Sequence, residues 1–215
     1  MTNKRLIVFA SGDAKGGGSG FENLVLKSRN DPTINYEIVT VVSNHEHGGV
    51  RERADRLGVR FVHMPPPYNA EAYQEIVTDS GAEWVALSGW LKLVKGLHPN
   101  RTLNIHPGLL PSYGGKGMFG HHVHEKVLAD FHDGLVGSSA VTMHFVTEVY
   151  DLGPVFFRHP VPIHSDDDAD TLGQRVNELE HAWQPIITSM VVNGDIHWNG
   201  EKSSPVQVPD SYNWL

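Results

Sequence analysis

The chain has 215 residues, 40% hydrophobic and 20% charged, which suits one sizeable hydrophobic core and is too ordinary a composition for a disordered or fibrous protein. Seventeen Lys and Arg against 25 Asp and Glu give a net charge of -8, which repels a polyanion and argues against a nucleic-acid partner. With no cysteine, disulfides, thiolate catalysis and cysteine-ligated metal are excluded.

Lys4 and Arg5 precede an apolar run, Leu6 to Ala10, that is shorter than the core of a secretory signal. No apolar run approaches the roughly 20 residues of a membrane-spanning helix, so the expectation is a cytoplasmic protein without a membrane partner. Four short runs, RLIVFA (5–10), EIVTVVS (37–43), VRFVHM (59–64) and WVALSG (84–89), read as buried strands. Helical segments stand between them: GFENLVLKSRN after a glycine-rich turn, GGVRERADRLG ending on a glycine stop, and NAEAYQEIVTDSG with an Asn cap and Gly81 at its end. This alternation predicts an α/β fold with an open, mostly parallel, twisted sheet, helices on both faces and right-handed crossovers. RTLNIH adds a central strand, and SSAVTMHFVTEVYDLGPVFFRHPVPI reads as an antiparallel strand pair joined through a turn at Tyr150 to Pro154. A long helix over about 169–192 follows. The Asn-Gly pairs and prolines beyond it predict a small hairpin and a loosely attached tail. No repeat or low-complexity linker divides the chain, so a single domain is expected.

In LNIHPGLLPSYGGKGMFGHH (103–122), Asn104 and His106 are two apart on a strand and so share a face at its C-terminal end, where Pro107 supports an extended exit. Open parallel sheets gather ligands beyond those strand ends. The pair suits transfer of a carbonyl group to an amine, because an amide and a protonated imidazole both donate to a developing oxyanion. The plainer alternative is a strand end whose polar groups satisfy loop backbone. A third group must manage protons, and Asp151 in VTEVYDLGP is the candidate, although alone it reads as a turn residue.

The stretch SGDAKGGGSGFENL offers exposed N–H groups at a helix N-terminus, where anions are attracted and glycine permits close approach. It has neither the Gly-Lys-Ser/Thr of a nucleoside-triphosphate loop nor the third glycine of a dinucleotide fingerprint. His121, His122, His124 and Glu125 do not form His-Glu-x-x-His, and adjacent helical residues diverge by about 100°, so no metal is assigned. A helix start carrying partly exposed imidazoles is expected there.

LNIHPGLLPSYGG, MHFVTEVYDLGPVFF and NELEHAWQP, in this order after a βαβ half beginning LIVFASG, resemble the phosphoribosylglycinamide formyltransferase family, folate-dependent enzymes of purine synthesis, over nearly the whole chain. The resemblance implies a catalytic set of Asn104, His106 and Asp151. Asn104 and His106 would hold the formyl oxygen of the co-substrate 10-formyltetrahydrofolate, while Asp151 would keep His106 charged and assist proton transfer as the formyl group passes to the amine of glycinamide ribonucleotide. It implies Gly18, Ser19 and Gly20 at the substrate phosphate, although Gly20 stands where the family has Asn and extra residues occur around Asp13 to Gly17. Lys116 in GGKGMFGHHVHEKV would add charge for that phosphate, and Glu180 in ELEHAW would contact the amine-bearing substrate. Leu91, Lys92, Leu93 and Asn104 would contact the folate, with Val146 on the facing wall formed by residues 146–151; no metal is implied.

Residues 1–100 would then form a ribonucleotide-binding half, 101–192 a catalytic and folate-binding half, and 193–215 the hairpin and tail, in a monomer or homodimer whose partners are two small molecules. Asn-x-His-Pro with a downstream Asp is shared by the wider family, so a sugar-nucleotide amine, methionyl-tRNA or water are alternative acceptors. The additional domain expected of the tRNA enzyme or of the hydrolase does not fit this length, and the acidic charge weighs against tRNA. A noncatalytic folate or nucleotide sensor is the reading from another class; intact Asn104, His106 and Asp151 weigh against it.

Overall fold

The computed structural model describes residues 3–14 and 16–215; Lys15, in the middle of the glycine-rich stretch, lies outside the described residues. Seven strands form one sheet: β1 (Lys4–Phe9), β2 (Tyr36–Ser43), β3 (Arg60–His63), β4 (Trp84–Leu87), β5 (Thr102–His106), β6 (Ser138–Phe145) and β7 (Val155–Pro162). Their order is β3-β2-β1-β4-β5-β6-β7, parallel through β5 and antiparallel for β6 and β7, as the strand patterns predict. Among the described residues five α-helices complete the fold: α1 (Ser19–Asn30), α2 (Gly49–Leu57), α3 (Ala70–Ser80), α4 (His121–His132) and α5 (Ala169–Asn193).

Leu6 to Phe9 of β1 are inaccessible on both faces, which is why this run shows no polar alternation. Leu6 and Val8 join a core with Leu24 of α1, Ala54 of α2, Val127 of α4 and Val191 of α5. Ile7 and Phe9, of opposite parity, pack with Tyr73 of α3 and with Trp90. Helices therefore cover both faces, but unequally, with α3 alone on the second. β1, β2 and β3 grow outward in one direction, and α3 returns the chain across the opposite face to β4, on the other side of β1. With right-handed crossovers this reversal demands the change of face, and it parts the C-terminal ends of β1 and β4 into a crevice.

α5 is the long helix that closes this crevice. Asp168 caps it by accepting from the Asp170 and Thr171 N–H groups, with the Thr171 hydroxyl reaching back to the Asp168 N–H. Pro185 sits inside the helix and has no N–H for the carbonyl of His181, four residues earlier. Asn23 of α1 supplies the missing donor, its Nδ2 standing 2.7 Å from that carbonyl oxygen. A sequence feature that usually breaks a helix thus becomes a tie between α1 and α5.

The expectation of a loosely attached tail is overturned. His197 and Gln207 form a single antiparallel bridge, and the segment beyond is fastened along β7. The Trp214 carbonyl accepts from the Arg158 N–H at 2.6 Å, and the Tyr212 hydroxyl donates to the Phe156 carbonyl at 2.7 Å. Trp214 also packs between Trp183 and His159, with ring centroids 4.6 Å and 5.4 Å away. Burying aromatic rings offsets the ordering of a proline-containing segment, and the edge strand β7 is covered in the process.

Candidate active site

Asn104 and His106 lie on β5 with their side chains on the same face, while Leu103 and Ile105 of the opposite parity enter the core. Antiparallel pairing sets Asn104 opposite His144 and His106 opposite Thr142 of β6. The loop leaving β5 is held by the Thr142 hydroxyl, which donates to the Gly108 carbonyl at 2.7 Å. Tyr113 in that loop donates its hydroxyl to Asp130 of α4 at 2.9 Å, and its carbonyl lies 2.7 Å from His106 Nε2. A carbonyl only accepts, so the Nε2 proton is fixed on this bond and Nδ1 is the nitrogen turned toward Asp151.

Asp151 reaches the same point from the loop between β6 and β7. Its backbone adopts φ 54, a left-handed conformation that Asp tolerates better than most residues, and Oδ2 accepts from the Gly115 N–H at 2.9 Å. This oxygen is 3.8 Å from His106 Nδ1, while Oδ1 is 3.5 Å from both Asn104 Nδ2 and His144 Nε2. Gly153 allows the turn: a Cβ there would collide with the Phe145 carbonyl oxygen. Asn104, His106 and Asp151, from positions 47 residues apart in the chain, are thereby brought together.

Nothing in the sequence singles out His144. Its Nδ1 is 2.8 Å from the Phe145 carbonyl and its Nε2 is 3.0 Å from Asn104 Nδ2. The carbonyl requires a proton on Nδ1, so the neutral ring accepts from the Asn104 amide and fixes which way it faces; a second proton on Nε2 would go to Asp151. The ring is 1% exposed, and only the β5–β6 register reveals its role.

Burial works against the Asp151 carboxylate, but His144 and His106, when either ring carries a second proton, and the Gly115 N–H outweigh it and hold the carboxyl below its usual range. For His106 burial is the largest influence and lowers its basicity, outweighing Asp151 and the Tyr113 carbonyl. The expectation that Asp151 keeps His106 charged is corrected accordingly: a carboxylate 3.8 Å away does not overcome the loss of water around the ring.

These groups open onto a cleft of about 650 Å³ at the β1/β4 crevice. Gly18, Ser19, Gly20, Leu91, Asn104, His106, Lys116, Asp151 and Glu180 all border it. At its far end Gly18 caps α1 in a left-handed conformation with φ 83 and offers no side-chain cap, so the Ser19, Gly20 and Phe21 N–H groups point outward without partners among the described residues. Beside it Asp13 Oδ1 accepts from Gly16 N at 2.7 Å, and Arg53 donates to the Gly17 carbonyl at 2.8 Å. α5 contributes Asn177, Glu180, His181 and Gln184 along one face. Burial pushes the Glu180 carboxyl up to about 7, against the opposing effect of a weak hydrogen bond from Asn177 at 3.5 Å. Lys116 is exposed on the cleft rim.

Val146, Lys92 and Leu93 do not line this cleft. Val146 borders a second, largely apolar cavity of about 950 Å³ with Val94, Leu97 and Trp198, on the other side of the 146–152 loop. Lys92 Nζ stands 5.5 Å over the Tyr68 ring, and the Leu93 carbonyl accepts from the Tyr73 hydroxyl at 3.2 Å. The histidine-bearing segment does start a helix: His121 and His122 are exposed and face Glu125, whereas His124 turns inward, and burial lowers its pKa to about 4.

Residues 4–188 match the formyl transferase family. Phosphoribosylglycinamide formyltransferase from the chloroplast of Arabidopsis thaliana is 33% identical over 97% of this chain and 73% of that protein. The corresponding protein of Bacillus subtilis is 28% identical over 93% of this chain and 100% of its own length. The crystal structure of glycinamide ribonucleotide transformylase 1 from Symbiobacterium toebii superposes with a TM-score of 0.81 at 27% identity, covering 97% of this chain and 95% of that one. The chain belongs to the formyl transferase family.

Proposed function

We infer that this protein transfers the formyl group of 10-formyltetrahydrofolate to the amine of glycinamide ribonucleotide, a step of purine biosynthesis. The observation that carries this reading is the convergence of Asn104, His106 and Asp151 at the mouth of a cleft whose far end is the open N-terminus of α1. An amine-bearing phosphate ester placed with its phosphate on the Gly18, Ser19 and Gly20 backbone lies along Glu180 toward the three polar side chains. Lys116 on the rim adds positive charge for the phosphate.

The folate supplies a formyl carbon carried on nitrogen. Its proposed contacts are Leu91, Lys92, Leu93 and Asn104, with Val146 and the apolar second cavity receiving the ring system; apolar walls of this kind fit a flat heterocycle. The 146–152 loop borders both cavities, so a ligand lying across it passes Asn104 and Asp151. In this reading residues 1–100 chiefly hold the ribonucleotide, residues 101–192 carry the chemistry, and residues 193–215 wall the apolar cavity.

As the amine adds, negative charge grows on the formyl oxygen. Asn104 Nδ2 donates to it, and the same charge favours a proton on His106 Nδ1, which burial otherwise disfavours. Asp151 stays ionised through the neutral range, stabilises the protonated ring and accepts the proton that the attacking amine must lose. The tetrahedral intermediate then collapses: the bond from the formyl carbon to the folate nitrogen breaks, that nitrogen takes up the proton relayed by Asp151 and His106, and the carbonyl re-forms, so no enzyme nucleophile is required. Glu180, near half-ionised at neutral pH, becomes fully charged when an ammonium or amine donor approaches.

The test is to mix the purified protein with 10-formyltetrahydrofolate and follow tetrahydrofolate formation with glycinamide ribonucleotide, with a sugar-nucleotide amine, and with water alone. Turnover that depends on glycinamide ribonucleotide supports the reading. Equal turnover with water assigns a hydrolase, and binding without turnover assigns a sensor.

A further inference from the structure

We propose that Gln184, oriented by Ser88, is a binding residue for the acceptor's anionic group, occupying beside the α1 N-terminus the space that a side chain at position 20 would otherwise fill. The proposal rests on the reading of the cleft as the acceptor's phosphate site and adds to it a specificity device particular to this chain.

Its first support is spatial. A Cβ built on Gly20 would collide with Ser88 Oγ and come within 3.5 Å of Gln184 Oε1. Glycine at this position therefore reflects a place already taken by a paired hydroxyl and carboxamide. The second is polar bookkeeping. Gln184 is 2% exposed, and its Oε1 accepts from Ser88 Oγ at 3.2 Å, which leaves the Nε2 hydrogens without a partner among the described residues. The donor opens on the cleft, where an accepting anion replaces water in a charge-assisted bond made by a side chain that is otherwise held in place. The Ser19, Gly20 and Phe21 N–H groups beside it are also without partners among the described residues, and they too call for an acceptor.

The third support is mechanical. Gly173, Asn177, Glu180 and Gln184 recur at helical spacing on the face of α5 that borders the cleft. The turn carrying Gln184 is located over α1 by the Asn23 bond to the His181 carbonyl that Pro185 leaves free. A neutral donor is also the suitable one at this point. A lysine at 184 would sit four residues from Glu180 and pair with it, whereas an amide leaves that carboxylate to the substrate. Ser88 acts as a positioning residue: by donating to Oε1 it turns Nε2 toward the anion.

The experiment is steady-state kinetics on wild type, Gln184→Leu, Gln184→Glu and Ser88→Ala, with glycinamide ribonucleotide and with its dephosphorylated riboside as acceptors. Losing a charge-assisted donor should raise KM for the ribonucleotide about tenfold in Gln184→Leu and about 100-fold in Gln184→Glu, with kcat held within about threefold. Ser88→Ala should raise it about two- to threefold. KM for the riboside and for the folate should not move. An unchanged ribonucleotide KM in Gln184→Glu, or an equal rise for the riboside, overturns the proposal. If the Gln184 variants do not fold by circular dichroism, Ser88→Ala decides alone, since an unchanged KM there removes the pair from binding. If wild type does not formylate the ribonucleotide at all, the activity reading fails separately. Calorimetric titration with ribose 5-phosphate then decides the anion site: weaker binding by Gln184→Glu upholds it and equal binding overturns it.

Discussion

Asp151→Asn isolates the charge of the site from its shape. The side chain keeps its volume, and its remaining oxygen can stay on the Gly115 N–H while the new amide faces the unprotonated Nε2 of His144, so the loop has reason to hold its place. What disappears is the negative charge 3.8 Å from His106 Nδ1. Coulomb's law at an effective dielectric constant near 20 gives about 4 kcal/mol for that separation, and at about 1.4 kcal/mol per decade this is roughly a 10³-fold loss. Because burial already lowers the basicity of His106, little else supports a proton there when the formyl oxygen becomes negative. The loss should fall on kcat, with KM for both substrates changed by less than about threefold, since the interaction strengthens only as charge develops. Asp151 has a depressed pKa, so the wild-type carboxylate adds stability that is present above the usual carboxylate range and is lost as pH falls through its lowered value; at neutral pH the variant is therefore also somewhat less stable. The assay is tetrahydrofolate formation at saturating substrates, well below the melting temperature of the variant. A folded Asp151→Asn protein that keeps more than about a tenth of wild-type kcat would refute the reasoning.

His144→Gln should lower kcat about tenfold with smaller effects on KM, because it loosens the amide of Asn104 without touching substrate; a steady-state comparison at saturation checks this. Glu180 carries a carboxyl raised to about 7, so the folded protein contributes stability from it fully below the unfolded value near 4.5 and loses that stability as pH rises through about 7. Calorimetric melting of Glu180→Gln should therefore show it gaining on wild type by about 1–3 kcal/mol between pH 5 and pH 8, and an unchanged difference contradicts the shift. Gly153→Ala places a methyl group against the Phe145 carbonyl and should destabilise by about 3 kcal/mol in chemical denaturation, with activity lost through displacement of Asp151.

Much of the fold is legible because its signals are local. β1 and β2 announce themselves as apolar runs, α3 by its Asn69 cap and Gly81 stop, and α5 by its length. The pairing of Asn104 with His106 follows from strand parity alone. His144 is not legible in this way, since its contact with Asn104 depends on the β5–β6 register, which two isolated strand patterns do not specify. Ser88 and Gln184 are 96 residues apart, and only the closeness of β4 to α5 makes them a pair. The attachment of the tail is hidden for a related reason: its prolines and Asn-Gly turns signal irregular backbone, while the forces that fasten it are rings on β7 and α5. The lowered basicity of His106 is not legible in the sequence either, since the burial that outweighs a nearby carboxylate belongs to the folded site.

The central claim is that one enzyme site passes a formyl group directly from folate nitrogen to an acceptor amine. A single-turnover experiment with ¹³C in the formyl group, excess protein and glycinamide ribonucleotide, read by carbon NMR, follows that atom itself. The account predicts that the label appears as the formamide of the ribonucleotide, in step with tetrahydrofolate and without free formate. Label appearing as formate, or staying on the folate, would contradict it.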